Sequence, residues 1–224
     1  MKKLIKKLLR PIRWVNLRTT KPISKVFGLD RGTPIDRYYI DLFLHNNKSY
    51  IRGNVLEIEN NFYTKKYAVD LSQVQSEILH YTSDNPKATI IGDLTDKTTL
   101  PQGNIDCFIC TQTFNFIYDF KEAIQGAHSL LKKDGVLLAT LAGVCQISQY
   151  DMERWGDFWR FTSKSAQRAF EEVFGAGNVE VAFFGNVLSS VSLLHGISAE
   201  ELTKEELDYS DPNYQIIITV IAKK

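Results

Sequence analysis

Residues 105–143, IDCFICTQTFNFIYDFKEAIQGAHSLLKKDGVLLATLAG, form the stretch that most constrains this chain, because they read as one complete strand, helix, strand unit. Residues 105–110 are an apolar run too short for a helix and suited to a strand buried on both faces. Phe120, Ala123, Ile124, Ala127, Leu130 and Leu131 then recur at helical spacing, with Lys121, Glu122 and Gln125 on the other side. Lys132, Lys133, Asp134 and Gly135 close that helix, the cations suiting the terminal carbonyls and Gly135 the left-handed residue. Residues 136–141 make the next strand. Two buried strands joined through a helix pair in parallel, with a right-handed crossover.

The chain of 224 residues is long enough for one well-buried α/β domain with a tail and an insertion to spare. A hydrophobic share of 44% with only six prolines excludes a disordered chain. Cys107, Cys110 and Cys145 are an odd number of cysteines, two of them inside an expected buried strand. This pattern suits a reducing, cytoplasmic setting without structural disulfides. Three residues apart on a strand, Cys107 and Cys110 point to opposite faces, so their C-x-x-C spacing favours core packing over a metal or redox pair.

Charge divides the chain. Residues 1–29 carry nine cations and no acid, so the rest has a balance of −8. Leu4, Ile5, Leu8, Leu9, Ile12 and Trp14 interleave with these cations, as in a helix that rests on anionic lipid or an acidic partner; a solvated arm packing its leucines on its own domain is the other reading. Lys6 and Lys7 interrupt any signal-peptide core, and no run approaches the roughly 20 apolar residues of a membrane helix. A net-acidic body with its cations in one short arm argues against nucleic-acid binding. Two parts are expected: a basic arm over 1–29 and a single domain over 30–224, with an insertion at 145–162.

Along that domain the pattern predicts a helix over 38–44, strands over 54–59, 74–79, 88–91, 105–110 and 136–141, a helix over 163–174 and a strand over 179–184. YQIIITVIA supplies a seventh strand. This order, together with NVLEIENNFYTKKYA, SQVQSEILH, IIGDLTD, IDCFICTQTFNFIYD and LLKKDGVLLAT, resembles the class I S-adenosylmethionine-dependent methyltransferases. The resemblance implies a Rossmann-like α/β fold: a seven-stranded, mostly parallel sheet with helices on both faces. DRGTPIDRYYI, YDMERWGDFWRFT and GNVLSSVSLLHGISAEELTKEELDYSDPNYQ are similar to a narrower group found with glycosyltransferases of surface-polysaccharide assembly. That similarity implies an O-methylated sugar of a glycan or glycolipid, and a glycosyltransferase as partner.

The resemblance also implies roles. Glu57 would lie at the amino-acid end of the cofactor, Glu77 would accept from its ribose, Asp93 and Leu94 would hold the adenine, and Thr111 and Gln112 would line the methionine portion. Each acid has a plainer alternative: Glu57 capping a loop, Asp93 starting a turn with Thr95, Glu77 merely solvated. Glu59, Asn60 and Asn61 stand where the family has glycines, and Asn60 and Asn61 are suited to a left-handed turn. Glu59 and Asn60 therefore join the cofactor set. In DRGTPIDR, Asp30, Arg31, Asp36 and Arg37 read as a salt-bridged corner, as a site where Arg37 or Tyr38 reaches the cofactor carboxylate, or as both.

The insertion places Trp155, Phe158, Trp159 and Phe161 among Asp151, Glu153, Arg154, Asp157 and Arg160. Rings beside charged groups suit a sugar, with Arg154, Trp155, Trp159 and Arg160 as binding residues; tryptophans filling a core beneath a lid are the alternative. Methyl transfer to a hydroxyl needs an oxygen held in line and a proton acceptor, for which Asp151, Asp157 and His195 are the candidates. No metal-ligand spacing of His, Asp and Glu is evident, so none is expected. The leading function is an S-adenosylmethionine-dependent O-methyltransferase of a sugar hydroxyl, yielding S-adenosylhomocysteine. The alternatives are methylation of a small metabolite or protein, and a degenerate fold acting as a scaffold.

Overall fold

The computed structural model describes residues 19–224. The amphipathic pattern expected over residues 4–14 lies outside them. Chain order is α1 (Ile35–Asn46), β1 (Gly53–Ile58), α2 (Phe62–Tyr67), β2 (Val74–His80), β3 (Ile90–Ile91), β4 (Ile105–Thr111), α3 (Phe120–Leu130) and β5 (Leu131–Ala142). Then come α4 (Gln149–Arg154), α5 (Ser163–Phe174), β6 (Val179–Phe184), α6 (Val187–His195), α7 (Lys204–Asp208) and β7 (Ile217–Lys223).

The strands form one sheet in the order β3-β2-β1-β4-β5-β7-β6. Pairing from β3 through β5 is parallel, and β7 is antiparallel to both β5 and β6. This is the expected mostly parallel, seven-stranded α/β architecture. Side-chain alternation sorts the core onto two faces. Leu56, Phe108, Cys110 and Leu137 pack with Ile124 of α3 and Phe170 of α5, while Val55, Cys107, Ile109 and Leu138 pack with Tyr39 and Leu44 of α1 and Leu193 of α6. Cys107 and Cys110 thus fall on opposite faces as free thiols.

The helix over 163–174 and the strand over 179–184 stand where the pattern places them. Two details differ. The left-handed residue before β5's main run is Asp134 (φ 65°), not Gly135. Asp134 donates its N–H to the Lys224 carbonyl at 2.8 Å, and the Lys224 N–H returns to Gly135, so pairing with the chain end fixes the turn one residue earlier. The polar stretch after β1 also forms a short helix, α2, because the Glu57 carboxylate accepts its first N–H groups.

Candidate active site

The strand order reverses at β1, which has β2 on one side and β4 on the other. In open α/β sheets ligands bind beyond the carboxyl ends of the strands at such a point. A cleft of about 1280 Å³ opens there, lined by residues from α1, the ends of β1 to β5 and the segment after β5. It exceeds the usual range of about 300–1,000 Å³ for a small-molecule pocket, so it has room for two ligands side by side.

The turns at the two central strand ends are built without glycine. Glu59 follows β1 at φ 68° and Gln112 follows β4 at φ 50°, and both line the cleft. The Gln112 N–H donates to the Thr140 carbonyl at 2.9 Å, which holds its turn against β5. Glu59, not Asn60 or Asn61, takes the left-handed conformation. Asn60 instead accepts the Phe62 N–H on its side chain, and Asn61 donates its amide to the Ser76 hydroxyl. Such strained residues concentrate where a backbone must approach a ligand.

Glu57 is buried at the end of β1 and accepts the backbone N–H groups of Tyr63 at 3.0 Å and Thr64 at 2.5 Å. Burial pushes its carboxyl up, and those N–H groups oppose the shift. Glu57 therefore fixes α2 against the cleft. Asp93 accepts the Thr95 N–H at 2.8 Å, and Leu94 is buried beside it. Leu79 and Leu94 share one apolar cluster, Ile117 packs against it, and all three line the cleft next to Asp93. Thr111, Asn60 and Arg37 line it too, with Arg37 donating to the Tyr63 hydroxyl at 3.0 Å.

Four expected site residues lie elsewhere. Glu77 sits mid-strand opposite Leu56, short of the carboxyl end, and accepts the Gln75 amide at 2.6 Å. The end of β2 is His80, followed in the cleft wall by Tyr81 and Thr82. Tyr38 points away from the cleft and donates to Asp208 of α7 at 3.1 Å. His195 ends α6, turned about 200° from the cleft-lining Leu193. Its carbonyl accepts the N–H groups of Ile23 and Ser24, the latter buried. Trp159 donates its indole N–H to the Tyr118 carbonyl at 3.0 Å and packs on Phe120, partly buried against the core and outside the cleft lining.

The DRGTPIDR corner is both salt-bridged and part of the site. Arg31 forks onto Glu201, Asp30 accepts the Ser24 hydroxyl, and Thr33 and Pro34 tie to residues 198–200. Asp36, the second residue of α1, is ringed by protein yet open to the cleft. Its Oδ1 accepts the Arg37 N–H at 2.8 Å, and burial pushes its carboxyl up. The charge alternation of this segment concealed which of its acids faces the site.

In the insertion, Arg160 grips both oxygens of Asp157, at 2.5 and 2.8 Å. Burial would raise the Asp157 carboxyl, but Arg160 and the Ser148 N–H hold it below the usual carboxylate range. Both residues line the cleft, yet each is committed to the other. Asp151, Arg154 and Trp155 line it as well, with Arg154 lying over the Tyr150 ring at 3.5 Å. Trp155 reaches across to the β2 end, edge-on to His80 and Tyr81 at ring separations of 6.2 and 6.3 Å. Cys145, half-buried beside Arg160, has its thiol pushed up to about 11 by burial and is no nucleophile near neutral pH. Among the described residues no group of three His, Cys, Asp or Glu is arranged to hold a metal ion, and no helix is long and apolar enough to cross a membrane.

Residues 52–139, which span the glycine-free turns and the cleft-forming strand ends, match the family model of a methyltransferase domain. Over that segment the chain is similar to a methyltransferase domain. The domain's fold is shared with solved S-adenosylmethionine-dependent methyltransferases. One from Archaeoglobus fulgidus has a TM-score of 0.54 at 13% identity, covering 84% of this chain and 94% of that one. One from Thermotoga maritima has a TM-score of 0.54 at 15% identity, covering 85% and 91%. The phosphoethanolamine N-methyltransferase 2 of Haemonchus contortus, solved with S-adenosylhomocysteine, has a TM-score of 0.53 at 10% identity, covering 86% of this chain and 54% of that one. No curated protein sequence matches the chain.

Proposed function

We propose that this chain is an S-adenosylmethionine-dependent O-methyltransferase acting on a sugar hydroxyl of a glycan or glycolipid. The observation that carries the acceptor class is the rim of the cleft. Tyr118, Tyr150, Trp155 and Phe158 line it with rings that are 64, 64, 42 and 47% exposed, beside the charged Asp151 and Arg154. Monomeric proteins seldom leave four large rings uncovered around one opening, and ring faces with adjacent charges complement the C–H faces and hydroxyls of a sugar.

The residues present fit the cofactor. The slot of Leu79, Leu94 and Ile117 beside Asp93 suits an adenine, and Arg37 offers a planar fork for a carboxylate. The left-handed Glu59 supplies the backbone turn that glycine provides elsewhere, so the glycine-poor loop does not argue for a degenerate scaffold. Bound in this cleft, the sulfonium supplies an activated methyl group. Trp155, lying over the β2 end, keeps water from that side, and the rim holds the acceptor oxygen.

The test is calorimetric titration of the full chain with S-adenosylmethionine and S-adenosylhomocysteine, followed by transfer of labelled methyl to methyl glycosides of 6-deoxyhexoses and hexoses. Micromolar binding of both cofactor forms and label in a sugar are expected. Binding without transfer to any sugar would move the acceptor to a small metabolite or protein, and absence of binding would end the methyltransferase reading.

A further inference from the structure

We propose that Asp36 is the catalytic base of the transfer, the carboxylate that takes the proton from the acceptor hydroxyl. This rests on the reading of the site as an O-methyltransferase. Placement comes first. α1 starts over the carboxyl edge of the sheet, and Asp36 in its first turn lines the cleft there, as do Arg37 and Tyr63 at the β1 end and Cys145 just after β5. Asp93 and Leu94, which suit the adenine, follow β3 on the far side of β1. Asp36 is therefore on the half of the cleft that the cofactor's nucleoside leaves free, the half under the insertion.

Availability comes second. Glu57 is committed to the N–H groups of α2 and Asp157 to Arg160, and Asp93 is set beside the apolar slot that suits the adenine. Asp151 stands on α4 next to Tyr150, whose ring is exposed at the rim of the cleft. Asp36 spends one oxygen on its neighbour's N–H, and Arg37, the cation beside it, is drawn to the Tyr63 hydroxyl. Burial raises its proton affinity, as a general base working near neutral pH requires. In the step, the hydroxyl proton passes to the free Asp36 oxygen while the acceptor oxygen bonds to the methyl carbon. The carbon–sulfur bond breaks with its electron pair left on sulfur, and the neutral carboxyl later loses its proton to solvent.

The experiment compares full-length wild type, Asp36→Asn and Asp151→Asn in three measurements. In calorimetry with S-adenosylhomocysteine, Asp36→Asn should bind as wild type does; a tenfold loss would make Asp36 a cofactor ligand and overturn the proposal. In methyl transfer to the sugar panel, Asp36→Asn should lower kcat by at least about 10²-fold and abolish the acid limb of the pH–rate profile, whereas Asp151→Asn, on the acceptor rim, should raise KM and keep the acid limb. An unchanged limb in Asp36→Asn would overturn the proposal. Thermal melting needs no acceptor. For the half-buried Asp36 carboxylate desolvation outweighs the pull of Arg37, so ionisation costs stability and Asp36→Asn should raise Tm at about pH 7.5, with the gap closing near pH 4. A lower Tm at neutral pH would make Asp36 a structural start to α1 and overturn the proposal. If wild type binds S-adenosylhomocysteine but methylates no sugar, the acceptor reading falls, while melting and calorimetry still judge Asp36.

Discussion

The Glu57 carboxylate accepts the Thr64 backbone N–H at 2.5 Å, joining the end of β1 to the first turn of α2 across the floor of the cleft. Because Tyr63 N–H binds the other oxygen, Glu57→Ala leaves two buried donors unpaired and should cost about 1–3 kcal/mol in urea unfolding. Glu57→Gln keeps an acceptor and should cost less. The sign with pH follows from the raised carboxyl: its folded-state proton affinity exceeds the unfolded one, so its contribution is greatest below the ordinary Glu value and fades as pH rises through the folded value. Urea midpoints for wild type should show that decline and those for Glu57→Gln should not.

The Asp157–Arg160 pair has the opposite sign. Arg160 holds the Asp157 carboxyl down, so its stabilisation is present above the ordinary Asp value of about 3.9 and disappears as pH falls through the folded value. The Asp157 side chain is 2% exposed, so Arg160→Ala strands a buried charge and should cost about 1–3 kcal/mol. Arg160→Lys should restore little, because a lysine lacks the fork that meets both oxygens. Limited proteolysis reports this directly: the segment between β5 and α5 should be cut faster in both variants at neutral pH, and equal cleavage would show that the pair does not fasten it.

Much of this site was legible before any coordinates. The continuous apolar runs and the crossover helix of residues 105–143 specified parallel strands, and the crevice follows from where parallel strands end. What escaped was side-chain direction. Glu77 carries the acid expected at the second strand but sits where its strand is still paired with β1, while His80 holds the end. Trp155 and Trp159 have the same chemistry, yet one faces the cleft and the other Phe120, a choice made by the turn at Gly156 (φ 91°). Asp36 was hidden among three other charges. Only the docking of α1, which turns Tyr38 toward Asp208 and places Asp36 in the cleft wall, separates them.

The two tryptophans therefore predict different outcomes. Trp159→Ala removes a ring packed on Phe120 and Tyr118 and should cost about 3 kcal/mol, the low end for tryptophan truncation because Trp159 is only partly buried. Its cofactor-product affinity should be unchanged at a temperature where it remains folded. Trp155→Ala removes a 42% exposed ring and should change stability by no more than about 1 kcal/mol. Its contacts with His80 and Tyr81 cover the β2 end, so S-adenosylhomocysteine should bind about five- to tenfold more weakly, a loss of about 1.0–1.4 kcal/mol. Melting curves beside calorimetry separate the two, and a destabilised Trp155→Ala would mean that its ring is structural as well.

Gly126 gives the sharpest contrast between local preference and tertiary packing. In the middle of a helix, alanine is ordinarily better than glycine by about 1 kcal/mol. A Cβ at Gly126, however, would lie 1.9 Å from the Leu94 carbonyl oxygen, backbone that cannot swing aside. Either α3 lifts from the sheet or the Asp93–Leu94 segment moves, and since Ala123, Ile124 and Ala127 are fully buried beneath the same helix, the segment is the softer element. Gly126→Ala should thus destabilise by about 1–3 kcal/mol, as overpacking does, despite the gain in helix propensity. Because the displaced residues line the end of the cleft proposed for adenine, S-adenosylhomocysteine affinity should fall in the same variant, whereas Gly177→Ala, with nothing near its Cβ position, should leave it unchanged. A Gly126→Ala protein that melts lower but binds normally would show that α3 yields instead, and that Leu94 is held in place by its own apolar neighbours.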